Sequence, residues 1–186
     1  MKILLTEERV EIPAGCSVVQ KDKHIIVTGK RGTESVDISH MVLTVDIEET
    51  ELFVRLWAAP KKRTPIVKTC ASIINSLIIG CTQGFSYKMK AIYKHFPITI
   101  VIENEGKRVV IKNFLGNKSD QVVDMIGGTV AKLGGEKDHF LIEGTNVQHV
   151  SQSAANISQK CVPKHKDLRV FLDGTFVIAK GLIEAN

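Results

Sequence analysis

Residues 86–96 read SYKMKAIYKHF, and in that run Lys88, Lys90 and Lys94 stand beside Tyr87, Tyr93 and His95. Lys88 and Lys90 are two apart, which puts both on one face of an extended strand. A row of cations on one face matches a phosphate backbone. Lys107, Arg108, Lys112 and Lys118 follow, and Lys160, Lys164, Lys166 and Arg169 form a last cluster. Arg55, Lys61, Lys62, Arg63 and Lys68 make an earlier one, with no acid between them. The net charge is +5 and the pI about 9.0. The first 83 residues carry 11 Lys/Arg against 10 Asp/Glu, and the remaining 103 carry 14 against 10, so the excess lies in the second half. Surrounding Asn, Ser and Gln add donors suited to the phosphates and 2′-hydroxyls of RNA. The same rows also suit solvated strands whose lysines keep an edge from aggregating. Charge alone leaves both readings open.

Other chemistry finds little support. The chain has no G-x-S-x-G, no H-E-x-x-H, no complete P-loop and no Rossmann glycine pattern. GKRGT lacks the upstream glycine and following helix of a phosphate loop and reads as a hairpin turn. The six histidines are scattered: His24 and His139 hold equivalent places in two similar segments, His149 lies on the polar side of a helix, and His40, His95 and His165 neighbour no acid in a dyad pattern. The acids of DIEETE (residues 46–51) read as a solvated hairpin tip. Cys16, Cys70, Cys81 and Cys161 have no C-x-x-C spacing, so free thiols without a metal are expected. No cofactor is implied. The N-terminal MKILLTEERVEIP has too short an apolar run for a signal peptide. The stretch ASIINSLIIGC is too short for a membrane span. A reduced, intracellular protein is the expectation.

The elements that would position these residues are short strands and two helices. VEIP, CSVVQ, HIIVTG and SVDI read as strands, and VLTVDI and LFVRLW flank EET as a hairpin. Thr64 suits an N-cap and Pro65 the first helical position. Ile66, Cys70, Ile73, Leu77 and Cys81 then recur at helical spacing, widened by Val67, Ile74 and Ile78. Gly80 or Gly84 ends that helix. The pattern restarts: PITIVI and RVVIKNF flank ENEG, and GGTVAKL and HFLIEG flank GGEKD. Val147, Val150, Ala154, Ile157 and Cys161 mark a second helix, stopped by Pro163. KDKHIIVTG and EKDHFLIEG share His, an apolar triplet and Gly at fixed offsets. This predicts an internal duplication of α+β class. Its two tandem domains, 1–83 and 84–186, would each be a mainly antiparallel sheet packed on one amphipathic helix.

QKCVPKHKDLRVFLDGTFV, preceded by EGTNVQHVSQSAANIS, resembles the C-terminal region of one ribosomal family. It is the universal large-subunit protein numbered six in bacteria and nine in eukaryotes, in its eukaryotic or archaeal form. IPAGCSVVQKDKHIIVTGKRGTESVDI is similar to that family's N-terminal strands, IINSLIIGCTQGFSYKMKAIYKHFPITIVI to its domain junction, and IKNFLGNK to the start of its second sheet. Pro163 and Thr175 depart from the aliphatic residues expected there. The resemblance implies a duplicated α+β fold, no enzymatic activity and no membrane. It implies binding to large-subunit rRNA, chiefly by the second domain, near the sarcin–ricin loop and the base of the factor-binding stalk. The implied partners are neighbouring large-subunit proteins and, indirectly, translational GTPases. The implied place is the cytoplasm, with a nucleolar assembly stage in a eukaryote. The expected RNA contacts are Lys88, Lys90, Lys94, Lys112, Lys118, Lys160, Lys164, Lys166 and Arg169. In HKDLRVFLDG, Leu168 and Phe171 should pack inward, Asp167 should face water in preference to orienting a neighbouring cation, and Asp173–Gly174 should make a turn. The alternative is a non-ribosomal protein-interaction or RNA-binding module of the same fold.

Overall fold

A computed structural model describes residues 4–48 and 50–183. Met1–Ile3, Glu49 and Glu184–Asn186 lie outside it, including the start of the stretch examined for a leader and one acid of DIEETE. The chain divides into two compact units, Met1–Gln83 and Gly84–Asn186. The first holds β1 (Leu5–Glu11), β2 (Ser17–Lys21), β3 (His24–Gly29), β4 (Gly32–Asp37), β5 (Thr44–Ile47), β6 (Glu51–Trp57) and α1 (Pro65–Thr82). The second holds β7 (Phe85–Ile92), β8 (Thr99–Glu103), β9 (Arg108–Lys112), β10 (Gln121–Asp124), β11 (Val130–Leu133), β12 (His139–Gly144), α2 (Val147–Lys160) and β13 (Gly174–Leu182). The class is α+β, with repeated sheet-plus-helix units. The strands of each unit divide into two sheets, ordered β1-β6-β5 and β2-β3-β4 in the first, and β10-β9-β8 and β11-β12-β7-β13 in the second. The strand pairings are antiparallel.

In the first unit α1 lies against β1, β3, β4 and β6. Val67, Cys70, Ile74, Leu77, Ile78 and Cys81 face Val10, Ile25, Val27, Leu52 and Val54 in one apolar core. Burying each large aliphatic side chain contributes about 1.5–3 kcal/mol. The centre of the stripe is rotated from its expected position: Val67, Ile74 and Ile78 are fully buried, whereas Ile66 and Ile73 lie at its edge. Thr64 does not cap the helix. It is itself helical, and its hydroxyl donates to the Pro60 carbonyl at 3.4 Å. The Ile66 and Val67 N–H groups donate instead to the carbonyls of Arg63 and Thr64, so a preceding turn replaces the side-chain cap. Over Pro65–Thr82 the helix is long and apolar enough to cross a membrane by length and composition. That corrects the estimate from ASIINSLIIGC, because the helix begins six residues earlier. Its apolar side forms the core, while Lys68, Ser72 and Asn75 are exposed.

In the second unit Val150, Ala154 and Ile157 of α2 pack over Met89, Phe140 and Ile142. Asn146 caps this helix by accepting from the Gln148 N–H at 2.9 Å. Ser153 interrupts the apolar stripe, fully buried. Its Oγ accepts from the Ile126 N–H at 3.1 Å and pairs with the Thr129 hydroxyl at 3.2 Å, so the loop before β11 is fixed to the helix.

The repeated His-apolar-Gly segments are β3 and β12, and their glycines have a common steric reason. A Cβ on Gly29 would lie 2.6 Å from the Cys81 carbonyl oxygen at the end of α1. One on Gly144 would lie 2.8 Å from Val150 Cγ2 in α2. In both units the strand comes too close to its helix for a side chain. GKRGT is the two-residue turn between Gly29 and Gly32. Its Arg31 N–H donates to the Cys81 carbonyl at 3.0 Å, which ties the hairpin to the end of α1.

Candidate nucleic-acid interface

Lys88 and Lys90 stand together on one face of β7, with Tyr87, Met89 and Ala91 buried on the other. The register places Leu141 and His139 of β12 opposite them, and Ala179 and Phe176 of β13 on the other side. Directly opposed residues share a face. Lys132 of β11, opposite Leu141, joins the same face. The result is a shallow concavity of about 560 Å³ whose lining includes Lys88, Lys132, His139 and Lys180. Lys132 and His139 were missed in the sequence because membership depends on strand register, and Lys180 reaches the rim although the register sets it opposite Tyr87, 5.5 Å from that ring's centroid. Lys88 approaches Glu136 at 3.9 Å, and Lys132 meets Glu143 at 2.7 Å. Such exposed pairs contribute little.

Lys94 does not continue that row. β7 ends at Ile92, and the Lys94 N–H donates to Asp173 Oδ1 at 2.8 Å. Lys94 is thereby fastened beside the segment that leads into β13. Lys112 ends β9 and approaches Asp120 at 3.7 Å. Lys118 is exposed in the loop before β10. These two belong to the other sheet, away from the β7 row.

Lys160, Lys164, Lys166 and Arg169 form the densest group among the expected contacts. Lys160 closes α2, where the helix dipole favours a cation. The other three project from residues 161–173, which form turns without regular structure. All four are exposed, and none is in an ion pair among the described residues. Asp167, the acid in this run, is engaged by the backbone. Its Oδ1 accepts from the Arg169 N–H at 3.0 Å, and its carbonyl accepts from the Val170 and Phe171 N–H groups at 3.1 and 3.0 Å. Asp167 is exposed, as expected, while its short side chain closes a local turn.

The apolar residues here also differ from expectation. Leu168 is 54% exposed and Phe171 38%, so neither packs inward. Asp173–Gly174 is not a turn: Gly174 begins β13, opposite Ile92. The exposed apolar groups border a cleft of about 280 Å³, lined by Cys161, Pro163, Leu168, Phe171, Leu172 and Phe176 among others. Lys166 Nζ lies 5.7 Å from the Phe171 ring centroid. Thr175 at the cleft is 2% exposed, and its hydroxyl has no hydrogen-bond partner of ordinary geometry. The neighbouring Cys161 thiol is pushed up in pKa by burial and drawn partly back by that hydroxyl.

All four cysteines are free thiols, three of them buried. Among the described residues no three His, Cys, Asp or Glu side chains converge as a metal site. Of the acids in DIEETE, Asp46 and Glu51 lie on the sheet and pair with Arg55 and Arg9 rather than forming a solvated tip.

Residues 96–174 match the family model described as ribosomal protein L6. The large ribosomal subunit protein uL6A of Schizosaccharomyces pombe is 40% identical over 179 residues, covering 96% of this chain and 94% of the relative. The large ribosomal subunit protein uL6B of Saccharomyces cerevisiae is 35% identical over 187 residues, covering 98% of each. An archaeal relative, the large ribosomal subunit protein uL6 of Staphylothermus marinus, is 36% identical over 171 residues, covering 91% of this chain and 92% of the relative.

Proposed function

The chain belongs to the ribosomal protein L6 family, and from that membership we propose that it is a structural constituent of the large ribosomal subunit that binds rRNA without catalysing a reaction. The observation that carries the RNA reading is the group Lys160, Lys164, Lys166 and Arg169: four exposed cations in no ion pair among the described residues, beside an aspartate engaged by the backbone. Lysine and arginine neutralise phosphates where RNA segments approach closely. Lys88 and Lys90 extend the contact across the β7 face. Lys94, Lys112 and Lys118 add separate points.

By family resemblance, the RNA lies near the sarcin–ricin loop and the base of the factor-binding stalk. The second unit makes the main contact. Neighbouring large-subunit proteins adjoin it, and translational GTPases are affected indirectly. The place of action is the cytoplasm, with nucleolar assembly in a eukaryote.

Two measurements test this. The chain should sediment with large subunits in stoichiometric amount through moderate salt. Replacing Lys166 and Arg169 by Ala should weaken binding to a large-subunit rRNA fragment and flatten the slope of log K against log salt by roughly 1.4–1.8, at about 0.7–0.9 per lost phosphate contact. A weaker affinity with an unchanged slope would show that these residues do not act on phosphates.

A further inference from the structure

We propose that the cleft between Phe171 and Phe176 receives one unpaired nucleobase of the RNA whose phosphates Lys166 and Arg169 hold. This rests on the rRNA-binding reading and adds base recognition to it.

The cleft is mainly apolar along its walls, with Ser158, Gln159, Asp173 and Thr175 among its lining. Phe171 and Phe176 supply aromatic surface, Pro163 and Leu172 supply aliphatic surface, and the Thr175 hydroxyl lies buried without an ordinary partner. A nucleobase carries both kinds of surface: a flat face that stacks on aromatic rings and an edge of donors and acceptors. A purely aliphatic side chain would fill the walls but leave the polar edge of the lining unused.

Size argues against a helical partner. One turn of helix, ~10 Å across and ~5.4 Å tall, occupies roughly 400 Å³, more than the cleft volume of about 280 Å³. Charge argues for RNA. Lys166 lies over the ring of Phe171, which lines the cleft, and Lys164 and Arg169 are exposed in the same segment. On the far side Phe176 stands directly opposite Lys90 of β7. A strand of RNA held by these cations would pass over the opening with its bases free to turn inward.

The experiment uses the full chain with single-stranded oligoribonucleotides of about eight residues, one bearing bases and one abasic. Affinity is measured over a range of salt. The base-bearing chain should bind roughly five- to a hundredfold more tightly, the worth of one stacked base. The two salt slopes should be equal, because their phosphates are equal. Thr175→Val and Phe176→Ala should each shrink that preference without altering the slope. Thr175→Val keeps the side-chain shape and removes a buried hydroxyl that has no partner of ordinary geometry, so it should fold, and a thermal melt verifies this. The double variant Lys166→Ala/Arg169→Ala should flatten the slope. Equal affinity for base-bearing and abasic chains, or a preference untouched by both cleft variants, overturns the nucleobase site while leaving the phosphate grip standing. Loss of salt dependence in the unsubstituted protein overturns both.

Discussion

On the outward face of β6, Arg55 is held by Glu7 across the strand pair and by Asp46 at 2.7 Å, with its guanidinium 5.0 Å from the centre of the Phe53 ring. Its hydrogen bond to Glu7, more than any other effect, raises its pKa above the ordinary guanidinium value. Arg9 beside it meets Glu51 at 3.2 Å. On the outward face of β7, Lys90 is in no ion pair among the described residues, and Lys88 has only the long approach to Glu136. These two strand faces thus treat charge in opposite ways. The β6 face closes Arg55 into internal pairs, and the β7 face leaves Lys90 without an ion pair among the described residues. Fold duplication alone therefore does not duplicate an interface. What decides it is which residues stand opposite each cation in the register.

The largest effects should come from breaking each core separately. Ile74 and Ile157 are both fully buried under their own unit's sheets. Changing either to Ala should cost about 2–5 kcal/mol. Hydrogen exchange should show Ile74→Ala loosening residues 4–83 and Ile157→Ala loosening residues 84–183. Loosening of both units by either variant would mean that they share one cooperative core.

The repeated glycines should be nearly as sensitive, but unequally. Gly29→Ala drives a methyl against the Cys81 carbonyl, which is backbone, whereas Gly144→Ala meets mainly the side chains of Val150 and Thr129. Overpacking of this kind costs about 1–3 kcal/mol. Gly29→Ala should fall at the upper end, and paired denaturant titrations would rank the two.

Much of this arrangement was legible in the sequence. HIIVTG and HFLIEG carry the strand alternation, and they are β3 and β12. The helices follow from three-and-four spacing. β13 was not read, because its register shifts between Val177 and Ala179 and breaks the period of two. β1 was recognised only near its end. Thr6 and Glu8 occupy alternate positions where a half-buried strand ordinarily shows apolar residues, so only Val10 carries the signal. At the interface, the individual cations were visible, but their grouping was not. Lys94 looked like part of the β7 row until Asp173 took its N–H, and the cleft depends on Thr175 and Phe176 arriving from β13.

A charge redesign would sharpen the contrast between the faces. Glu7→Gln with Asp46→Asn should release Arg55 and steepen the salt slope for single-stranded RNA by about 0.7, if the freed guanidinium takes one phosphate. Lys88→Ala with Lys90→Ala should flatten it by about 1.4. Unchanged slopes in both variants would show that neither sheet face meets RNA.

The smallest effect concerns the thiols. Burial raises the pKa of Cys70, Cys81 and Cys161 above the usual value of about 8.5. A raised folded pKa means that the stability is present below the unfolded value and is lost as pH rises through the folded one. Thermal melts should therefore drop modestly above about pH 8.5. Native alkylation at neutral pH should label the partly exposed Cys16 before the other three. Equal labelling rates would contradict the burial assigned to them.

The pairing of β7 with β13 also has a consequence in time. A nascent chain emerges N-terminus first, and domains fold as they become complete. Every strand and helix of the first unit lies within residues 5–82, so that unit can close early in translation. The second unit cannot. Its strand β7 comes near the start of the unit, while its neighbour β13 ends at Leu182. Until those last residues are made, one side of β7 has no partner, Asp173 has not yet met Lys94, and the wall that Phe176 supplies is missing. The surface best suited to RNA is thus the last to be assembled, and an unfinished chain lacks it.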